Sequence, residues 1–317
     1  MATKELPLAV IIVSWNVAAH LDRCLTSLEH AFTTDEVEAV VWVIDNDSTD
    51  STTEMVRERH PWAELRPQET NLGYVRANNL GLTALVDKAE AIWLLNPDTL
   101  VPEGTIRTLL TFLRTHPKAG LLGPKLLNAD GSLQECAFHF PGLTQTLFSL
   151  GKMPDRLYYS ALNGRYAPAL FEQRHGFEID HPLGAAMLAR ADAIRDVGLL
   201  DDGFFMYCEE IDWAWRMRKA GWQTWLVPSA EVLHIGGASS QQARPATTAY
   251  LWESRARLYR KHRGWLTQAL VRGVVVRTFS ARHAQAESAE WAAAYDRILA
   301  AWRSRSRRST VKLAKEG

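Results

Sequence analysis

The chain has 317 residues and equal numbers of basic and acidic side chains, 36 of each, which gives a formal net charge of zero. This balance excludes an argument for wholesale nucleic-acid binding, and the length suffices for one large domain with or without an extension. Three widely spaced cysteines without a CxxC pair exclude a disulfide framework and favour a reducing, cytoplasmic compartment.

Hydrophobic patterning predicts alternating strands and helices over the first 123 residues. Continuous β-branched apolar runs indicate strands buried on both faces, and apolar residues at i, i+3, i+4 and i+7 indicate helices. The predicted elements are strand 8–13, helix 19–31, strand 39–44, helix 51–60, helix 74–86, strand 91–95, helix 103–115 and strand 120–123. This alternation predicts an α/β fold with a mostly parallel sheet flanked by helices.

The alternation breaks down after Gly123. Asn128 to Gly131 predicts a hairpin turn, and residues 142–180 show no period, which we interpret as an insertion or lid. The later predicted elements are strand 183–188, helix 191–197, a helix from about 211, strand 223–227, strand 231–235 and helices 247–262 and 286–302. An apolar segment, 265–276, lies between the last two helices and is interrupted by Arg272 and Gly273.

Polar side chains follow three of the predicted strands. Ser14 follows the first strand, Asp45 the second, and Asn96 and Asp98 the third. In parallel sheets ligands bind outside the carboxyl ends of the strands, so we expect these groups at one edge. Strand-to-helix loops are commonly polar, but Asp45 and Asp98 each end an otherwise apolar strand, which favours a functional interpretation.

A paired carboxylate, Glu209–Glu210, precedes a helical pattern that also contains Asp212. The positive end of the helix macrodipole favours negative charge, so we expect an ionised carboxylate here, the form that a general base needs. Acids in a first helical turn are also ordinary capping chemistry.

The absent motifs narrow the chemistry. No GxGxxG follows the first strand, and the chain has no GxxxxGK[ST], HExxH or GxSxG, which removes the main support for dinucleotide, P-loop and hydrolase functions. Carboxylates at strand ends together with one histidine, His234, suit Mg²⁺ or Mn²⁺. Such a cation would bind a diphosphate and leave another acid free to act as a base.

The chain resembles the family 2 glycosyltransferases of the GT-A fold, within their bacterial rhamnosyltransferase-like branch. The matching segments follow the family's order over roughly residues 8 to 240. They are VIIVSWN, VIDNDSTD, NLGYVRANNLG, LLNPDT, GPKLLNADGSLQ, the segment from PLGAAM to RKAGW, and VLHIGGAS. The resemblance implies a GT-A catalytic domain, 1–243, followed by a C-terminal helical extension, 244–317.

The resemblance also implies roles for individual residues. Asp45 is expected to read the nucleotide base with Ser14 beside it, and Arg76 to contact the nucleotide or diphosphate. Asn96-Pro97-Asp98 takes the place of a metal-binding DxD motif, in which Asn96 replaces the first acid. Asp98 is therefore expected to bind the metal, and Asn96 to bind the nucleotide. His234 falls where related enzymes place a metal-coordinating histidine.

The acidic pair takes the place of the family's catalytic acids. Glu210 corresponds to the general base, and Glu209 precedes it. The resemblance therefore implies an inverting, metal-dependent transferase. It would move rhamnose or another deoxyhexose from a dTDP- or UDP-sugar to a saccharide or polyprenyl-linked acceptor in cell-surface polysaccharide assembly.

Two other functions fit the same fold. A non-catalytic protein that binds nucleotide sugars would not need Asp98 and Glu210, which argues against it. A nucleotidyltransferase would share the sheet and the metal but would release pyrophosphate.

The C-terminal part carries two basic clusters near short apolar stretches. The clusters are Arg255, Arg257, Arg260, Lys261 and Arg263, and then Arg303, Arg305, Arg307 and Arg308. This pattern suits peripheral contact with the inner face of a membrane, and equally a solvated appendage or a homo-oligomer contact. We expect neither a signal peptide nor a membrane-spanning helix.

Overall fold

The computed structural model describes residues 6–151, 153–236 and 244–304. Its strands are β1 Leu6–Ser14, β2 Ala39–Asp45, β3 Glu64–Pro67, β4 Ala89–Leu95, β5 Thr99–Leu100, β6 Ala119–Leu127, β7 Leu133–Gln134, β8 Ala137–Phe138, β9 Phe177–Ile179, β10 His181–Pro182, β11 Ala186–Arg190 and β12 Gln223–His234. Its α-helices are α1 Ala18–Asp35, α2 Thr52–Arg59, α3 Gly73–Leu85, α4 Thr105–Thr115, α5 Leu143–Leu150, α6 Ala191–Val197, α7 Glu209–Lys219, α8 Arg244–His262, α9 Trp265–His283 and α10 Ala289–Arg303.

One mixed sheet organises the fold. Its main path runs β3-β2-β1-β4-β11-β6-β12-β5, with β7 beside β6 and β9 beside β12. Strands β3, β2, β1 and β4 are parallel, as are β6 and β12, whereas β11 is antiparallel to both of its neighbours. The predicted fold class is therefore correct, although the sequence pattern did not reveal the reversed direction of β11.

The apolar run of β1 serves two cores at once. Leu8, Val10 and Ile12 belong to one buried cluster, which includes residues of α1 and α4. Ala9 and Ile11 belong to another, which includes residues of α3, α6 and α7. Because successive side chains on a strand point to opposite faces, a strand covered on both faces needs apolar residues at every position.

Three local predictions were incomplete. The predicted strands 223–227 and 231–235 are one strand, β12, which stays extended through a register shift between Val227 and Glu231. The segment 142–180, predicted to lack structure, contains α5, three short 3₁₀ helices and β9. The interrupted segment 265–276 lies within the single helix α9, where Gly273 faces solvent and does not disturb the packed side.

The C-terminal helices form their own apolar cluster and also contact the sheet layers. Trp252, Phe279 and Trp302 belong to this third cluster, while Leu258 of α8 belongs to the cluster around α7. Among the described helices, none has both the length and the apolar character needed to cross a bilayer. The domain boundary between 243 and 244 stays a prediction, and Arg305, Arg307 and Arg308 lie outside the described residues.

Candidate active site

Asp45 fixes the loop that leaves β2. The parallel register pairs it with Ser14, whose hydroxyl donates to Asp45 Oδ1 over 3.1 Å. The Ser48 backbone N–H donates to Oδ2 (3.0 Å) and the Ser48 hydroxyl to Oδ1 (2.6 Å). The structure thus places Ser14 and Asp45 together at the carboxyl ends of β1 and β2, as predicted, and their role in binding a nucleotide stays a prediction.

Asp98 and His234 are brought together by strand pairing. Antiparallel β5 and β12 set Thr99 opposite His234, and the Ile235 N–H donates to the Asp98 carbonyl oxygen (3.0 Å). As a result Asp98 Oδ1 lies 3.3 Å from His234 Nε2, and both residues are buried. His234 Nδ1 contacts Gln134 Oε1 at 2.7 Å, whereas Nε2 makes no hydrogen bond to any described residue.

This pair fits a hard divalent cation. His234 Nε2, which makes no hydrogen bond within the described ranges, and the adjacent Asp98 carboxylate oxygen are two ligands that can share one ion. In the described part of the chain, no group of three or more His, Cys, Asp or Glu could hold a metal. A two-residue site suits Mg²⁺ or a similar ion that takes its other ligands from water and substrate phosphates.

A short segment, Gly184–Ala185, joins this region to the acidic pair. The Asn96 backbone N–H donates to the Ala185 carbonyl oxygen over 2.8 Å. A Cβ built on Gly184 would lie 3.8 Å from Glu210 Cβ and 3.9 Å from Glu209 Oε1. The turn that carries Asn96 and the start of α7 therefore both lie next to the segment that leads into β11.

Tyr74, which the sequence did not single out, lies among these acids. Its hydroxyl donates to the Gly184 carbonyl oxygen over 3.2 Å. Burial raises the pKa of Tyr74, and the negative charges of Glu209, Glu210 and Asp98 raise it further. Tyr74 lies in the NLGYVRANN segment that carries the resemblance. The sequence shows its position in the chain, but not that its side chain points towards the acids.

An unusual turn aims the acidic pair. Tyr207 and Cys208, which directly precede α7, both have φ of 66°, the left-handed region that non-glycine residues rarely adopt. The preceding loop packs closely against Gly73, where a Cβ would lie only 2.6 Å from the Phe205 ring. This turn places Glu209 and Glu210 in the first turn of α7, as the sequence predicted.

Burial acts against the ionisation that the sequence predicts for this pair. Burial raises the pKa of Glu209 well above its usual value, and the charge of Glu210 raises it further. Burial also raises the pKa of Glu210, although backbone N–H groups at the helix start and then Arg255 oppose this. Oε2 of each glutamate has no hydrogen-bond partner among the described residues. Desolvation therefore outweighs the helix macrodipole here.

Asp212 and Arg76 do not join this group. The Asp212 carboxylate is fully buried and bonded to Arg216, Lys261 and His262, which makes it a structural link between α7 and α8. Arg76 is exposed on α3, and no hydrogen bond in the described part of the chain joins it to the acids. Tyr74, two positions earlier, turns towards them instead, since residues i and i+2 lie on different sides of a helix.

Comparisons with known proteins agree with this architecture. The family called Glycosyltransferase like family 2 matches residues 6–264. Proteins of two Mycobacterium tuberculosis strains, CDC 1551 / Oshkosh and ATCC 25618 / H37Rv, are named N-acetylglucosaminyl-diphospho-decaprenol L-rhamnosyltransferase. They are 32% identical to this chain over an alignment of 278 residues, and the match covers 81% of this chain and 86% of theirs.

Two solved structures share the fold. GalNAc-T7 with UDP, GalNAc and Mn²⁺ superposes with a TM-score of 0.59 at 15% identity, covering 81% of this chain and 48% of that one. S. aureus TarS 1–349 in complex with UDP-GlcNAc gives a TM-score of 0.54 at 16% identity, covering 93% of this chain and 81% of that one. These likenesses confirm the predicted fold class.

Proposed function

The chain belongs to Glycosyltransferase like family 2, and from this premise we propose an inverting enzyme that transfers rhamnose or another deoxyhexose to a lipid-linked saccharide. The sugar and the acceptor are supported by the printed name of the mycobacterial relatives. The donor is a dTDP- or UDP-sugar, and the UDP ligands of the two structural neighbours support a nucleoside-diphosphate donor.

One observation carries the mechanism: Glu209 and Glu210 lie beside Gly184, while its neighbour Ala185 accepts a hydrogen bond from Asn96, two residues before Asp98. A displacement at a sugar carbon needs a base on the side of the incoming hydroxyl and charge stabilisation on the side of the departing diphosphate. The acidic pair would supply the base, and the Asp98–His234 pair would supply the charge stabilisation.

Glu210 is the base. It is less buried than Glu209, so it can meet an acceptor hydroxyl. The acceptor oxygen bonds to the anomeric carbon as the bond from that carbon to the diphosphate breaks. The hydroxyl proton passes to Glu210, and the bonding electron pair leaves with the nucleoside diphosphate. A single displacement of this kind inverts the anomeric configuration.

Glu209 has a supporting role. Burial raises the pKa of Glu209, and the charge of Glu210 raises it further, so the pair resists carrying two negative charges at once. A neutral Glu209 leaves the negative charge on Glu210, where a base needs it.

Asp98 and His234 would hold a divalent cation, Mg²⁺ or Mn²⁺. The fit rests on the buried Nε2, which lies beside the Asp98 carboxylate and makes no hydrogen bond to the described residues. When bound, such an ion neutralises negative charge on the departing diphosphate. Ser14, Asp45 and Asn96 would bind the nucleotide at the carboxyl ends of β1, β2 and β4, with Arg76 as a more distant contact.

A transfer assay tests this proposal. Purified protein is incubated with Mn²⁺, dTDP-rhamnose or UDP-sugars, and N-acetylglucosaminyl-diphospho-polyprenol, and the product's anomeric configuration is read by NMR. We expect an inverted product and a free nucleoside diphosphate, with loss of activity in EDTA and in Asp98→Ala. A retained configuration, pyrophosphate release or full activity in EDTA would contradict the inverting mechanism, the reaction class or the metal, respectively.

We place the enzyme on the cytoplasmic face of a membrane, where α9 would touch the lipid surface. Trp265, Leu266 and Leu270, in its first two turns, are 79%, 56% and 49% exposed, and Arg272 and Arg277 follow them. Exposed apolar residues followed by arginine suit an interfacial helix on anionic lipid.

Vesicle sedimentation tests this membrane contact. Wild-type protein should sediment with phosphatidylglycerol-containing vesicles and lose binding in the double variant Trp265→Ser/Leu266→Ser and in high salt. Leu80→Ser, which alters an exposed leucine on α3, is the matched control. Unchanged sedimentation of the double variant would rule out membrane contact by α9. A molecular mass that rises with protein concentration in the absence of lipid would favour a homo-oligomer contact.

A further inference from the structure

The Gln134 side chain lies between the hairpin turn and His234. Its Nε2 donates to Asn128 Oδ1 (3.0 Å) and to the His234 carbonyl oxygen (3.2 Å), and its Oε1 faces His234 Nδ1 at 2.7 Å. Strand pairing sets this geometry, because Leu126 of β6 lies between Gln134 on β7 and Val232 on β12. The predicted hairpin therefore delivers one amide group to the histidine.

The orientation of this amide is fixed by its neighbours. A backbone carbonyl oxygen can only accept, so the Gln134 side that faces the His234 carbonyl must be the NH₂ group. Asn128 Oδ1 requires the same orientation, because the Asn128 amide nitrogen is already directed at Ser132 Oγ (2.9 Å) and the Leu133 carbonyl oxygen (3.4 Å). Exchanging O and N in Gln134 would set acceptors against acceptors.

The fixed amide determines which ring nitrogen of His234 carries hydrogen. Gln134 Oε1 can only accept, so Nδ1 must be the N–H donor in this contact. In the neutral ring the lone pair is then on Nε2, the buried nitrogen 3.3 Å from Asp98 Oδ1. Outer hydrogen bonds of this kind fix the tautomer of metal-binding histidines.

We propose that Gln134 is a positioning residue that holds His234 as the Nδ1–H tautomer, so that its Nε2 lone pair and the Asp98 carboxylate face one divalent cation. The part of this inference that concerns the cation rests on the proposed function. The part that concerns the tautomer rests only on the contacts of Gln134, and it is tested without metal.

The first experiment reads the tautomer in the metal-free protein. The full chain is labelled with ¹⁵N-histidine, kept in EDTA at a pH where the ring is neutral, and its ring nitrogens are recorded by NMR. The His234 signals are assigned by their loss in His234→Gln. We expect wild-type His234 to be Nδ1-protonated and Gln134→Leu to shift it towards the Nε2–H form. An Nε2–H wild-type ring, or an unchanged tautomer in Gln134→Leu, would overturn the proposal.

The second experiment measures Mn²⁺ binding by EPR in the same proteins without donor. We expect Gln134→Leu to weaken Mn²⁺ binding about 10–100-fold, the range found when outer hydrogen bonds to metal ligands are lost. Gln223→Leu is the matched control, because it makes the same substitution at the opposite end of β12, where the amide contacts Glu178 and Trp225. Equal weakening in the control would assign the loss to sheet stability and overturn the proposal.

The two experiments separate the two levels of failure. If wild-type protein binds no Mn²⁺ and His234 is nevertheless Nδ1-protonated by way of Gln134, the positioning role stands and the metal assignment fails. If Mn²⁺ binds equally well to wild type and Gln134→Leu, Gln134 has no part in the metal site, and the proposed function is untouched.

Discussion

The first turn of α7 holds buried carboxylates in two opposite environments. Burial alone would raise the pKa of Asp212, but its bonds to His262, Lys261 and Arg216 hold this pKa well below its usual value. Glu209 and Glu210, on the same turn, lie beside Gly184 and have raised pKa values, and among the described residues Oε2 of each has no hydrogen-bond partner. Desolvation raises the pKa of all three acids, so their partners decide whether the pKa ends above or below its usual value.

On α7, Asp212 contributes to the stability of the fold, whereas Glu209 and Glu210 are placed for chemistry. The Asp212 side attaches α7 to α8 through Lys261 and His262, whose ring also stacks on Trp215 with centroids 4.6 Å apart. On the glutamate side, Oε2 of each carboxyl group has no hydrogen-bond partner in the described part of the chain, and raised pKa values of this kind are frequent among catalytic acids. Substitutions on the two sides should therefore change different measured quantities.

The largest effect is expected on the glutamate side. Glu210→Gln removes the base and keeps the shape, so kcat should fall about 10²–10⁴-fold while donor binding and thermal stability stay near wild type. Steady-state kinetics and donor titration measure these quantities, with Asp192→Asn, an exposed acid of α6, as the control. A variant that keeps more than about a tenth of the wild-type rate would argue against general-base catalysis.

At Asp212 we expect the main loss in stability rather than in kcat. Asp212→Asn leaves Arg216, Lys261 and His262 around a neutral group, and breaking a buried ion pair costs about 3 kcal/mol of unfolding free energy. Urea denaturation measures this loss. Asp192→Asn removes a surface pair with Arg195 and should cost about 0–1 kcal/mol. Equal destabilisation by the two variants would mean that the Asp212 network does not anchor α8.

The pH dependence of the rate sharpens the comparison. Because the base must be ionised and the pKa of Glu210 is raised, kcat/KM should fall tenfold per pH unit on an acid limb that lies above the usual glutamate pKa of about 4.3. The positive charge of Arg255 lowers this pKa, so Arg255→Gln should move the limb to higher pH. Arg282→Gln, on α9, serves as the control. If Arg255→Gln leaves the acid limb at the same pH, the group that titrates in this limb is not Glu210.

The smallest effect is a gain in stability. The folded-state pKa of Glu209 lies above its unfolded value, so its ionisation costs stability, and this cost grows as the pH rises towards the folded-state pKa. Glu209→Gln should therefore raise the unfolding free energy by about 1 kcal/mol at pH 8 and by little at pH 4. Thermal melts at both pH values test this, beside the exposed control Glu58→Gln. A variant less stable than wild type at pH 8 would show that Glu209 is compensated after all.

The sequence predicted the sheet layers and the positions of the acids, because fully apolar runs and the residues that end them are local signals. It did not predict the direction of β11, since a strand buried on both faces reads the same in either direction. It also treated Asp212 as a third acid beside Glu209 and Glu210, because its partners on α8 are remote in the chain. Gln134 was missed for the same reason, as it lies 100 positions from His234.

The backbone turn at Tyr207 and Cys208 has a consequence for directed evolution of this enzyme. Two consecutive left-handed residues other than glycine cost roughly 1–2 kcal/mol each, so glycine at either position would relieve that cost. A selection for heat resistance alone would therefore favour glycine there, and the loosened turn would let the carboxyl groups of α7 drift from Gly184. Libraries meant to harden this protein should leave these two codons fixed.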